Sequence, residues 1–215
     1  MARRAARRLV VVRRRIIGVT GCPGAGKSMF AAGLAAERGP GAVVVPMDGF
    51  HLANHELERL GRAGRKGAPD TFDLEGYLAL LQRIRANGAS TVYAPAFDRR
   101  IETSLAGAIA VGPEHTTVIT EGNYLLHDDE GWERVRPLLD ECWYVECREA
   151  VRIVRLLARH IENGRSGHAA AQWVHDVDEP NARLVRATRA RADVVVYAED
   201  GRLALPLPVD PRRLW

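Results

Sequence analysis

Residues 16–37 read Ile16-Ile-Gly-Val-Thr-Gly21-Cys-Pro-Gly-Ala-Gly26-Lys27-Ser28-Met-Phe-Ala-Ala-Gly-Leu-Ala-Ala-Glu37. A short β-branched run leads into G-x-x-x-x-G-K-S, and a helix-forming run follows. Glycines let such a loop turn its backbone N–H groups inward, making a nest for anions. The helix that starts at the loop's end adds its positive N-terminus. Lys27 brings a full charge to the β- and γ-phosphates of a nucleotide, and the Ser28 hydroxyl is placed to ligate Mg²⁺. Gly21, Cys22, Pro23, Gly24, Ala25, Gly26, Lys27, Ser28 and Met29 are therefore the expected ATP-binding residues.

Further short apolar runs at 42–46, 117–120, 143–146 and 194–197 are expected to be buried parallel strands. Helices are expected at 27–38, 74–87, 149–163 and 179–191. Leu74, Tyr77, Leu78, Leu81 and Ile84 give the second its helical spacing, and Val151, Val154, Leu157, Ala158 and Ile161 the third. Strand–helix alternation predicts an α/β fold, a parallel sheet flanked by helices with right-handed crossovers. Residues 51–112 are long for one crossover. They are expected to hold loops, a helix and a short strand at 91–94, as an insertion shaping an acceptor pocket.

Two acids stand just past expected strand ends, the edge where open α/β sheets bind ligands. Asp48 is placed to accept the proton of an attacking hydroxyl, Glu121 to hold Mg²⁺ with Ser28, and Asp48 is a further candidate at that metal. Arg152, Arg155, Arg159 and Arg165 lie in a stretch ended by Gly164 and Gly167, which reads as a lid over 152–175. Arg155 and Arg159, four apart, share one face and suit a charge clamp on the transferred phosphate.

The chain has 215 residues and a net charge of +4, but residues 1–15 hold seven arginines and no acid, so the remainder carries −3. The basicity belongs to this N-terminal run and not to a nucleic-acid-binding face; residues 1–14 are expected to be a disordered tail ahead of one domain at 15–215. Cys22, Cys142 and Cys147 are odd in number and lack partners at zinc spacing, so reduced thiols and a cytoplasmic setting are expected. No apolar run reaches membrane-spanning length.

Five blocks resemble the P-loop kinase family of uridine kinase and bacterial pantothenate kinase, including its fructose-transport-associated branch. They are Met47-Asp-Gly-Phe-His-Leu52, Arg65-Lys-Gly-Ala-Pro-Asp-Thr-Phe-Asp73, Ala94-Pro-Ala-Phe-Asp-Arg99, Glu121-Gly-Asn-Tyr124 and Thr188-Arg-Ala-Arg-Ala-Asp193. The resemblance implies the P-loop NTPase fold with a five-stranded parallel sheet, ATP and Mg²⁺ as cofactors, and phosphorylation of a small-molecule acceptor. It makes Asp48 the catalytic acid, Arg155 and Arg159 the lid arginines, and Thr188–Ala192, with Arg189, a segment near the adenine. His51, His55, Lys66, Phe97, Asp98, Arg99, Tyr124 and Asn181 become the acceptor-pocket candidates. His51, where uridine kinases typically have Tyr, and Asn123-Tyr124 depart from the family pattern, so a nucleoside, a sugar and a pantothenate-like acceptor all stay open. Phe50, Phe72, Tyr77, Phe97 and Tyr124 are candidates for an aromatic shelf. A homodimer stays open as well. The alternative, a regulatory NTPase hydrolysing nucleotide without an acceptor, lacks the guanine-reading N-K-x-D.

Overall fold

The computed structural model describes residues 13–199 and 202–204. Its strands are β1 (Arg15–Thr20), β2 (Ala42–Pro46), β3 (Val92–Asp98), β4 (Thr103–Val111), β5 (Thr117–Glu121), β6 (Glu141–Glu146), β7 (Val194–Glu199) and β8 (Arg202–Ala204). Its α-helices are α1 (Lys27–Arg38), α2 (Asn54–Arg59), α3 (Leu74–Ala86), α4 (Glu149–Glu162), α5 (Gly167–Trp173) and α6 (Glu179–Ala187). The main sheet runs β2-β5-β1-β6-β7-β8. Five strands are parallel, as expected, and β8 adds an antiparallel edge.

β1 is central because its residues are apolar on both faces. Ile16 packs into one core with Leu78, Leu81, Trp132 and Tyr144, while Ile17 and Val19 face a second core with Phe30, Leu34 and Ile119. The side-chain period of two along a strand sends neighbours to opposite faces, so α1 covers one side and α3 with α6 the other. Burying residues of this size stabilises the fold by roughly 1.5–3 kcal/mol each.

Three expectations need correction. Residues 51–112 hold not one short strand but a bulged antiparallel hairpin, β3–β4, which stands apart from the main sheet, and also α2. β4 escaped notice because Thr103-Ser-Leu-Ala-Gly-Ala-Ile-Ala-Val111 is rich in Ala and Gly, poor strand formers, and four consecutive residues within it are exposed. Arg13 and Arg14, assigned to the tail, belong to the fold. Arg14 is buried and donates to the carbonyls of Gly112, Ile84 and His115, closing loop ends that would otherwise bury unpaired oxygens. The rest of the expected tail, residues 1–12, lies outside the described residues. On α4, the buried face is Arg152, Leu156 and His160, whereas Val154 and Ile161 of the apolar stripe point outward. This helix packs on the nucleotide loop, and polar groups serve that contact.

No helix among the described residues is long and apolar enough to cross a membrane.

Candidate active site

A cleft of about 640 Å³ opens at the carboxyl edge of the main sheet, between the loop after β1, the turn after β2, the hairpin and α4. One half is main chain. Gly21, Gly24 and Gly26 take φ of 151°, 80° and 95°. A Cβ on Gly24 would stand 2.8 Å from the Arg152 carbonyl oxygen and 2.9 Å from Leu156 Cγ, so neither the turn nor the packing admits a side chain. α1 begins at Lys27 with no side-chain cap on its N-terminus, which leaves its first N–H groups for a ligand. Lys27 lies back over the loop, its Nζ donating to the Cys22 carbonyl at 3.1 Å. Burial pulls the Lys27 pKa below the usual lysine value, against the Glu121 and Asp48 charges. Cys22 and Ala25 are buried behind the loop, so they serve through their backbone.

Beyond the loop, Ser28 Oγ donates to Glu121 Oε1 at 2.9 Å. Burial, and then the Asp48 charge, push the Glu121 carboxyl above its ordinary range, while Lys27, the Ser28 hydroxyl and Arg99 oppose them. Asp48 lies in the 3₁₀ turn Met47–Phe50 and accepts from Arg99 Nη2 at 3.2 Å. The donor set suits Mg²⁺. No cluster of three His, Cys, Asp or Glu exists among the described residues. A hydroxyl with one or two carboxylates is what an ion needs that keeps its waters and takes phosphate oxygens.

The stretch expected to be a lid is built of α4, α5 and a π-helical turn, Val174–Asp178. Arg155 reaches toward the loop, with Nη1 3.5 Å from the Ala25 oxygen. Arg159 lines the cleft and has no ion-pair or hydrogen-bond partner among the described residues. Burial, then repulsion from Arg99, lowers its pKa. Arg152 does something else: it is buried, contacts the Pro23 carbonyl at 3.4 Å and pairs with Glu179, bracing the loop from behind. Arg165 lies over the Trp173 ring at 3.8 Å, on the cleft's rim.

The acceptor candidates divide. His51, Lys66, Phe97, Arg99 and Asn181 line the cleft. The chain has two lysines, Lys27 and Lys66, and both are here. Lys66 Nζ donates to Asn54 Oδ1 at 2.7 Å and to the Glu102 oxygen at 2.9 Å. Asp98 instead caps the hairpin turn by pairing with Arg100, and His55 is exposed on α2; neither lines the cleft. Tyr124 is fully buried behind the wall, donating to the Gly67 carbonyl at 2.5 Å and packing on Phe72 and Trp132. Arg189 is also off the cleft, paired with Glu146 at 2.7 Å and 3.3 Å from the Tyr197 hydroxyl. Of the shelf candidates, Phe50 and Tyr77 are core residues.

Sequence reasoning missed Asn54, Asp178, His160 and Trp173, which line the cleft too. His160 Nε2 and Asp178 Oδ2 are 2.7 Å apart and tie α4 to the π-turn. π-turns gather at functional sites, but no residue pattern announced this one.

No protein-family model matches the chain. It is 30% identical to a uridine kinase of Brevibacillus brevis over 198 residues, covering 89% of each chain. It is 31% identical to a pantothenate kinase of Leifsonia xyli subsp. xyli, covering 84% of this chain and 65% of that protein. A solved structure from Silicibacter sp. TM1040, described as a candidate fructose transport system kinase, superposes with a TM-score of 0.78 at 39% identity, covering 89% of this chain and 92% of that one. The chain belongs to the P-loop kinase family that includes uridine kinase and pantothenate kinase, and it is an ATP-dependent small-molecule kinase.

Proposed function

We propose that the cleft moves the γ-phosphate of ATP to a hydroxyl of a small acceptor, with the roles divided as follows. The loop amides of residues 21–28, Lys27 and Arg155 hold the triphosphate. Ser28 and Glu121 would hold Mg²⁺ beside it, with Asp48 a further candidate ligand; a bound Mg²⁺ would supply positive charge to the phosphate oxygens. Asp48 orients the acceptor hydroxyl and takes its proton, worth about 10²–10⁴-fold. Arg159 swings onto the transferred phosphate, where charge spreads in the transition state. Lid closure excludes water, which would otherwise consume ATP.

The observation that carries this reading is the placement of Asp48 in one cleft with Lys27, Glu121 and Arg159. Their charges act on one another: Asp48 raises Glu121 and opposes the depression of both Lys27 and Arg159. A base, a phosphate anchor, a metal ligand and an unpaired guanidinium converge there. ADP release with MgATP, with and without acceptors, tests it. Acceptor-dependent release that disappears in Asp48→Ala supports the reading. Acceptor-independent hydrolysis, equal in the variant, would overturn it in favour of a hydrolytic NTPase.

A further inference from the structure

The acceptor half of the cleft holds two polar side chains that satisfy nothing in the protein. Asn181 is 5% exposed, yet its amide has no hydrogen-bond partner among the described residues, and it lines the cleft. The amide is not among the fully buried unpaired groups, so it opens onto the cleft, where the polar groups of a bound molecule can reach it. His51 likewise bonds through neither ring nitrogen, and its Nδ1 is buried. Burying a lone pair is less costly than burying an unpaired N–H, so the ring proton belongs on Nε2, the nitrogen left for the cleft.

The two cations beside these groups, Lys66 and Arg99, are already matched. Lys66 has Asn54, the Glu102 carbonyl and, at 3.5 Å, the Glu102 carboxylate. Arg99 holds Asp48. An anionic acceptor would enter beside Asp48 and Glu121, and the cleft guanidiniums without a carboxylate are Arg155 and Arg159, which the kinase reading gives to the phosphates, and Arg165, which lies over Trp173 on the rim. The rings are in use as well. His51 stacks on Phe72 at 4.1 Å and tilts on Phe97 at 4.9 Å, Lys66 Nζ lies 5.0 Å over Phe97, and Arg165 covers a face of Trp173. A flat base finds no open pair of aromatic faces.

We infer that the acceptor is a neutral, non-aromatic polyhydroxy compound of the sugar or polyol class, whose non-reacting hydroxyls are read by Asn181 and His51. This rests on the kinase reading above. A hydroxyl both donates and accepts, which matches an amide and an imidazole N–H; a carboxylate accepts only, and a base demands a stacking surface.

The test compares kcat/KM, by ADP release with MgATP, across D-fructose, other hexoses and pentoses, uridine and D-pantothenate. The inference expects a sugar to be the best acceptor by at least about tenfold. It also expects Asn181→Ala to lower kcat/KM for that sugar about 10–100-fold while KM for ATP holds. Because Asn181 is buried, the near-isosteric Asn181→Asp is measured beside it, with thermal unfolding as the check on folding, and a loss for the sugar is expected there too. Uridine or pantothenate as best acceptor overturns the inference and leaves the kinase reading standing. So does full sugar activity in a folded Asn181→Asp. If no compound stimulates ADP release above the acceptor-free rate, the kinase reading falls and the inference with it.

Discussion

The two halves of the cleft are built by different means. The half proposed for the nucleotide is a run of consecutive residues, Gly21 to Ser28, in which backbone conformation would do the recognising. The acceptor half is assembled from side chains on the turn after β2, the start of α2, the 3₁₀ segment around Lys66, the hairpin and the π-turn with α6. A cradle of N–H groups is written locally, because the turn needs glycines at fixed positions. A side-chain pocket is written in pieces whose meeting depends on the whole fold.

A large expected effect strikes the first half. Lys27→Met should lower kcat/KM for ATP by about 10²–10³-fold, as loss of a preorganised charge at a developing anion does, with acceptor KM little changed. If the loss appeared in acceptor KM instead, the division into halves would be wrong. Next is Arg159→Ala, placed where the halves meet. It should cut kcat by roughly 10–100-fold and leave both KM values within a few-fold, since its contact forms in the transition state.

The same division explains what the sequence could reveal. The five parallel strands, α1 and the anion-binding loop follow from local runs and one motif. Asp48 and Glu121 drew notice because strand ends in α/β sheets are ligand edges, and both line the cleft. β4, the outward turn of Val154 and Ile161, and the burial of Arg14 were not legible, since each is decided by distant neighbours: Arg14 by Gly112 and Ile84, α4 by the loop beneath it. Tyr124, Asp98 and Arg189 sit within or next to segments that build the site, but their side chains turn to the core, the hairpin turn and Glu146. Motif proximity does not give side-chain direction.

Two smaller effects concern pH. Glu121 has a raised pKa in the folded state, so its contribution to stability is present at low pH and lost as pH rises through the folded value. Glu121→Gln should therefore stabilise the metal-free protein at neutral pH, read by thermal unfolding, and weaken the Mg²⁺ dependence of ATP binding. An unchanged Mg²⁺ titration would remove Glu121 from the metal. His51 works in the opposite sense. Its pKa falls from 6.5 to about 4 on folding, so its contribution is full above pH 6.5 and lost as pH falls toward 4, at most about 3 kcal/mol. His51→Phe, which keeps a ring on Phe72, should flatten the acid limb of the stability profile between those values. A limb of unchanged slope would mean the ring is not buried neutral.

The most direct test of the central claim is the acceptor-stimulated rate of Asp48→Asn at saturating MgATP, with ATP affinity measured alongside by calorimetry. The account expects the rate to fall about 10²–10⁴-fold while ATP binds as before. A rate within a few-fold of the unsubstituted enzyme would contradict it, because the account gives the proton to no other carboxylate.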